Sequence, residues 1–381
     1  MSSPRFLPFV AAALFPLTAA CDPSSLQPIE TGSSSSTSTT STTSTSSGAG
    51  GNGGNGGGSS TSGTGGDPAQ SCAAPCGSGA VCVEGQCHAL VELDPSINGA
   101  NEGVCTIALD ALNVYWMTSE VRRVPKAGGA STLLDSGTAS PGGLVVDDNY
   151  LYWLNFGVQR AEKNAPANPG TSAGSFYVDA GGNPTRLVGD GATLYYLEIG
   201  EIYQAATAAP PAPEAPPLAF SQTWSFADTA IAVDAENVYF WTEGASVLSK
   251  VGKAGGQMVT IGTRENSTID ASSGIVADSS GVYFSTAPSP GKGGLVVKTG
   301  GGAGQGTVLV DGSQGANGVF TVDASFLYFM TPTGVMRMPK TGGAAVMLSP
   351  LSPPSPFPTC IAADDAHVYW VDGSKLMAFT K

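Results

Sequence analysis

The chain has 381 residues, of which 41% are apolar and 12% charged, with 52 glycines, 27 prolines, 7 cysteines and 2 histidines. Its net charge of −14 runs against the clustered Lys and Arg that phosphate-backbone binding requires, so nucleic acid is excluded as a partner. Two histidines are too few for a three-histidine zinc centre or a metalloprotease helix, and no metal site is assigned.

Residues 1–20, MSSPRFLPFVAAALFPLTAA, carry one early charge at Arg5 and then an apolar run interrupted by Pro8 and Pro16. The run is too short for a membrane span and ends in small residues, which reads as a cleavable export signal. Cys21 follows directly. The segment resembles a bacterial lipoprotein signal, in which a small-residue box precedes a cysteine that receives the lipid. Thr18 stands where that pattern has an aliphatic residue, and Leu17 sits one place earlier. The resemblance implies an exported protein anchored through Cys21 to the bacterial cell envelope, at the outer membrane; ordinary cleavage after Ala20 is the other reading. From Cys21 to residue 71 the chain is dominated by Ser, Thr and Gly, which cannot repay the entropy of ordering. Roughly fifty such residues form a flexible tether with an average span of about 35–45 Å.

Cys72, Cys76, Cys82 and Cys87 fall in SCAAPCGSGAVCVEGQC. In an exported chain so dense a set predicts a two-disulfide knot over residues 72–87. Three pairings remain open. The spacing lacks the Cys-x2-Cys pairs of zinc knuckles.

Residues 88–381 repeat. ALDALNVYW, VVDDNYLYW, LVGDGATLYY, AVDAENVYF, VADSSGVYF, TVDASFLYF and AADDAHVYW share Tyr115, Tyr152, Tyr195, Tyr239, Tyr283, Tyr328 and Tyr369, spaced by 37 to 45 residues. Five places before each stands an aspartate: Asp110, Asp147, Asp190, Asp234, Asp278, Asp323 and Asp364. Each unit holds four short strand candidates, a to d; in the fourth they are 230–233, 238–242, 247–251 and 258–261. Antiparallel four-stranded units at this period predict an all-β, seven-bladed β-propeller. The aspartates then sit in the a–b turns as acceptors for backbone N–H groups, and the aromatic residues pack between blades. Lys-x-Gly-Gly endings of strand c read as turns into strand d.

The last unit stops at Lys381 after strand c, while Ala89 to Leu93 matches the strand d pattern. This N-terminal strand is expected to complete blade seven and close the ring. Cys105 and Cys360 lie in the first and last units, so a disulfide between them would staple the same seam. The seven cysteines then divide as one lipidated, four in the knot and two at closure.

The repeats from Asp110-Ala-Leu-Asn-Val-Tyr-Trp116 and Asp234-Ala-Glu-Asn-Val-Tyr-Phe240 resemble those of the YWTD and NHL-type propellers and of bacterial exported propeller lipoproteins. YWTD propellers have six blades, against seven units here. The resemblance implies extracellular or periplasmic protein binding.

The b–c and d–a loops gather on one face around the channel, the default recognition site. Candidates there are Glu120, Asn155, Glu198, Trp241, Glu243, Arg264 and Asp372. Two c–d insertions, 164–174 and the Pro-rich 205–216, decorate the opposite face. No His, Ser or Cys constellation marks a nucleophile, and no catalytic residue is assigned. The chain therefore reads as a monomeric cell-envelope lipoprotein whose propeller binds or scaffolds a protein or glycan, touching the membrane through its lipid alone and needing no cofactor. The alternatives are an enzyme acting on an envelope polysaccharide through paired carboxylates, and a structural propeller holding calcium in its channel.

Overall fold

A computed structural model describes residues 72–95, 97, 105–136, 142–155, 157–164, 174–177, 184–198, 201–208, 217–220, 230–242, 247–263, 274–285, 296–300, 306–352 and 360–381. Cys21, the signal, the tether, Glu243, Arg264 and most of the two insertions lie outside these residues.

The described chain forms seven antiparallel sheets arranged as the blades of a propeller. Blade one runs from strand a, Thr106–Leu109, through Asn113–Met117 and Glu120–Pro125 to strand d, Thr132–Ser136. Blades two to six begin at Leu144, Arg186, Ile231, Ile275 and Phe320. In strand b the alternation of apolar and polar residues disappears: Val114, Tyr115, Trp116 and Met117 are all buried. Both faces of this strand meet a neighbouring blade, so both must be apolar. Seven apolar clusters result, each drawing residues from two adjacent blades. Tyr115, Met117, Leu151 and Trp153, for example, fill the seam between blades one and two. In this ring the core is a set of seams rather than a centre.

Blade seven is assembled from both ends of the chain. Ile361–Ala363, His367–Asp372 and Lys375–Thr380 supply strands a to c, and Gln86–Asp94 pairs outside them as strand d. The register sets Leu90 opposite Phe379 and Val91 opposite Ala378. His88 stacks on Phe379 at 5.0 Å, and its Nδ1 lies 3.0 Å from the Thr380 carbonyl.

The closing strand starts inside the cysteine-rich segment and carries Cys87 itself. It forms a hairpin with Ala80–Val83, which adds a fifth strand to the sheet. The hairpin turn is Glu84–Gly85, both at positive φ, a conformation that glycine adopts without steric cost. Val83 is buried among Tyr328, Leu348, Trp370 and Phe379, so the hairpin packs over the seam between blades six and seven. Cys72 is bonded to Cys82 and Cys76 to Cys87. The sulfurs of Cys72, Cys76 and Cys87 lie within 4.8 Å of one another, but as disulfides they offer no thiolate to a metal. A third disulfide joins Cys105 to Cys360, within the cluster that includes Leu93, Ile97, Trp116 and Tyr369.

The Cys105–Cys360 bond closes a loop of 255 residues, for which loop-closure entropy sets a ceiling of about 5 kcal/mol of stabilisation. Replacing both cysteines by serine is expected to lower the urea midpoint without changing the circular dichroism of the folded state. An unchanged midpoint would show that the strand d pairing alone closes the ring.

Candidate functional site

The seven aspartates organise one face of the ring. In six blades Oδ1 accepts the backbone N–H groups two and three residues on, as Asp110 does from Leu112 and Asn113 at 2.8 and 2.7 Å. In blade five the turn is one residue shorter and Asp278 accepts from Ser280 alone. The second oxygen looks along the sheet. It accepts the hydroxyl of the tyrosine five residues later in blades one, two, four, six and seven, at 2.6 to 3.1 Å. In blade five the Ser280 hydroxyl stands between Asp278 and Tyr283.

The same carboxylates also receive a lysine from the next blade. Lys126 of blade one reaches Asp364 of blade seven at 2.6 Å, Lys163 reaches Asp110 at 3.2 Å, and Lys253 reaches Asp190 at 2.7 Å. Lys340 pairs with Asp278 and Lys381 with Asp323. Lys126, Lys253, Lys340 and Lys381 lie over the tyrosine of the preceding blade, adding a cation–π contact. Lys163, Lys340 and Lys381 donate in addition to the backbone carbonyl of their own blade's aspartate. Five of the seven seams thus carry an Asp–Lys clasp among the described residues, and at three of them, those of Asp110, Asp323 and Asp364, the same carboxylate also takes the tyrosine hydroxyl. At the seam of blades two and three the lysine position is Thr207, whose hydroxyl turns back to Gly191 and Ala192 of its own blade. At the seam of blades four and five the sequence has Gly301 there. The clasp lysines are ring fasteners, and in Lys126, Lys253 and Lys340 the fastener also opens the Gly-Gly turn into strand d. Their signal was present as the recurring Lys at the end of strand c.

Burial pushes the carboxyls of Asp323 and Asp364 up, but the lysine and backbone donors, joined at Asp323 by the Tyr328 hydroxyl, outweigh it and hold both at about 2. Asp110, Asp190, Asp234 and Asp278 are lowered by the same balance. Tyr115, Tyr239, Tyr328 and Tyr369 are pushed above the usual phenol range by burial and by the aspartate. These tyrosines stay neutral donors.

The opposite face carries the b–c turns and the d–a connections, while the Asp face carries the a–b turns and the c–d connections, which reach 11 and 12 residues in blades two and three. Strand d to strand a takes 7 to 11 residues, whereas strand a to strand b takes 2 or 3. Between the faces runs the channel, a cavity of about 410 Å³ lined by the strands a of blades one to five. Its described lining has aliphatic side chains apart from Thr106 and Gly189, and no carboxylate is among the described lining residues.

The described loop candidates sit on blades one, two, three, four and seven. Glu120 belongs to strand c and pairs with Arg122 at 2.6 Å. Asn155 lies in the b–c turn, where its carbonyl accepts from the Gln159 amide at 3.0 Å. Glu198 and Asp372 end their strands b and are buried, and Asp372 accepts from the Ser352 N–H and hydroxyl. With Thr118 and Thr331 they occupy the position three after the repeat tyrosine, where Thr331 bonds to Gly334 across the turn. Trp241, expected on a loop, lies within strand b of blade four, Asn237–Thr242. It is buried against Phe284 at 5.4 Å, because this strand extends past the repeat tyrosine into the seam with blade five.

Together these features define a seven-bladed β-propeller closed by an N-terminal strand, with an N-terminal disulfide cluster. No protein-family model and no curated protein matches the chain. Among solved structures it is similar to virginiamycin B lyase from Staphylococcus aureus, at 13% identity and a TM-score of 0.56, over 77% of this chain and 99% of that one. A streptogramin B lyase matches at 10% identity and 0.56, over 77% and 97%. The WD40 propeller domain of Doa1 matches at 10% identity and 0.53, over 76% and 97%. At these identities the likeness is one of fold, a fold shared by lyases and by a WD40 propeller.

Asp323 and Asp364 have folded values of about 2 against an ordinary 3.8. Their contribution, about 2 kcal/mol each, is therefore complete above pH 4 and lost as the pH falls towards 2. Replacing Lys126 by Met should raise the acid-unfolding midpoint, read by tryptophan fluorescence. In Thr207→Lys the added ammonium would meet Asp147, and thermal stability should rise by an amount equivalent to at most about 1 kcal/mol.

Proposed function

We propose that the protein is a cell-envelope propeller that binds a protein or glycan partner on the face built by the b–c turns and d–a connections. The observation that carries this reading is where the fasteners of the ring lie. The Asp turns and clasps occupy one face, while the d–a connections, of 7 to 11 residues, surround the channel mouth on the other. Scaffolds that position variable loops in this way commonly use them for recognition. Export is supported by three disulfides, which persist in oxidising compartments. Lipidation of Cys21 and the tether that follows hold a monomeric ring near the outer membrane.

Turnover of an envelope polysaccharide is a second reading, and the two lyases favour it because they match along almost their whole length. One such lyase, solved with quinupristin, is inactive once a histidine is replaced by alanine. Here both histidines lie on blade seven outside the channel lining: His88 on the outer strand, and His367 beside Asp364 at the clasped face. Catalysis in this chain would accordingly draw its acid and base from carboxylates.

Full-length protein crosslinked in envelope preparations should retain one specific protein or glycan, and recovery of none would sink the binding reading. New saccharide products by mass spectrometry would replace it with the catalytic one. Cys21→Ser should release the protein from membranes; continued membrane association would remove the lipid anchor.

A further inference from the structure

We infer that the central channel is itself a binding site, for a neutral small molecule that is mainly apolar and carries amide or hydroxyl groups. The channel has a volume of about 410 Å³. That lies within the range of small-molecule sites, and an engineered apolar cavity of about 150 Å³ already holds benzene. Leu109, Val145, Val188, Ile231 and Val276 contribute aliphatic groups from five different blades, and no charged side chain is among the described lining residues. A charged ligand would lose its hydration there without a counter-charge, which disfavours it strongly.

The wall is not uniformly apolar, however. Each strand a ends its sheet, paired to strand b on one side, and turns its other edge to the channel. Apart from contacts such as Leu187 N–H to the Gly142 carbonyl, that edge presents backbone donors and acceptors outside any ladder. A pure hydrocarbon would cover these groups without bonding them, and water alone would leave the methyl groups exposed. A neutral molecule combining both kinds of surface satisfies the wall completely. The inference rests on the loop-face reading in one respect, that the ligand enters from that face.

The test uses the full-length protein and the neutral fluorophore N-phenyl-1-naphthylamine. We expect saturable one-to-one binding, weakened at least tenfold by Val145→Glu or Val188→Glu and unchanged by Leu112→Glu on the exposed a–b turn, with folding checked by circular dichroism. Should the glutamate variants fail to fold, crystals soaked with a brominated form of the fluorophore locate it by anomalous scattering, and density in the channel supports the inference. Non-saturable binding, equal affinity in all folded variants, or density outside the channel would overturn it. Fluorophore binding without any envelope partner would defeat the loop-face reading alone; a retained partner without fluorophore binding would defeat the channel site alone.

Discussion

The structure depends on how one aspartate per blade divides its two oxygens. Oδ1 completes the a–b turn by accepting backbone N–H groups, a strictly local task. At Asp110, Asp323 and Asp364 Oδ2 takes both the tyrosine hydroxyl of its own strand b and the ammonium of the following blade. The same carboxylate that shapes a turn therefore also sets the position of the neighbouring blade. Since Asp323 is held by backbone, phenol and ammonium at once, its partial burial costs less than its partners return. Adjacent blades contact through apolar strand b surfaces whose attraction is non-directional, and the clasp adds a directional bond.

This arrangement separates the two faces. Residues that fasten the ring must keep their identity from blade to blade, whereas the d–a connections have no such duty and differ in length. Even on the loop face, repetition marks structure: Glu198 and Asp372 share a register position with Thr118 and Thr331, and all four are buried. Asp372 directs its charge across the seam, accepting from the Ser352 N–H and hydroxyl of the connection that leads from blade six. Departures from the repeat are the better guide to recognition, and the channel, whose lining spans five blades, belongs to no single repeat.

Fold and closure were legible because their signals are local and recur. An aspartate five residues before a tyrosine can be seen within one repeat, and a missing strand d at one end answers a surplus one at the other. The lysines were harder. Lys163 is 53 residues from Asp110 and Lys126 is 238 from Asp364, and Lys126, like Lys253 and Lys340, stands two places before a Gly-Gly pair that reads simply as a turn. Trp241 lies inside the strand b expected over 238–242, but alternation within one strand cannot show that its outward face meets Phe284 of the next blade instead of the loop face. The cysteine hairpin is a similar case: its cysteines suggest a separate knot, yet Val83 and the closing strand bind it to the blades.

The placing of the fasteners follows from where the chain is interrupted. Every other blade is continuous from strand a to strand d, but in blade seven strand c ends at Thr380 and strand d begins at Gln86. Opening the ring therefore means separating those two strands. Their ladder is reinforced at one end by Lys375 and Glu92 and at the other by His88 on Phe379 and Thr380. Lys381, one residue past strand c, clasps Asp323 of blade six, so the chain end is fixed to the neighbouring blade as well as to its own. The Cys105–Cys360 bond acts elsewhere, joining the inner strands of blades one and seven. If strands c and d part, that bond still holds the two blades side by side, and re-pairing becomes a local event instead of a search over the whole chain.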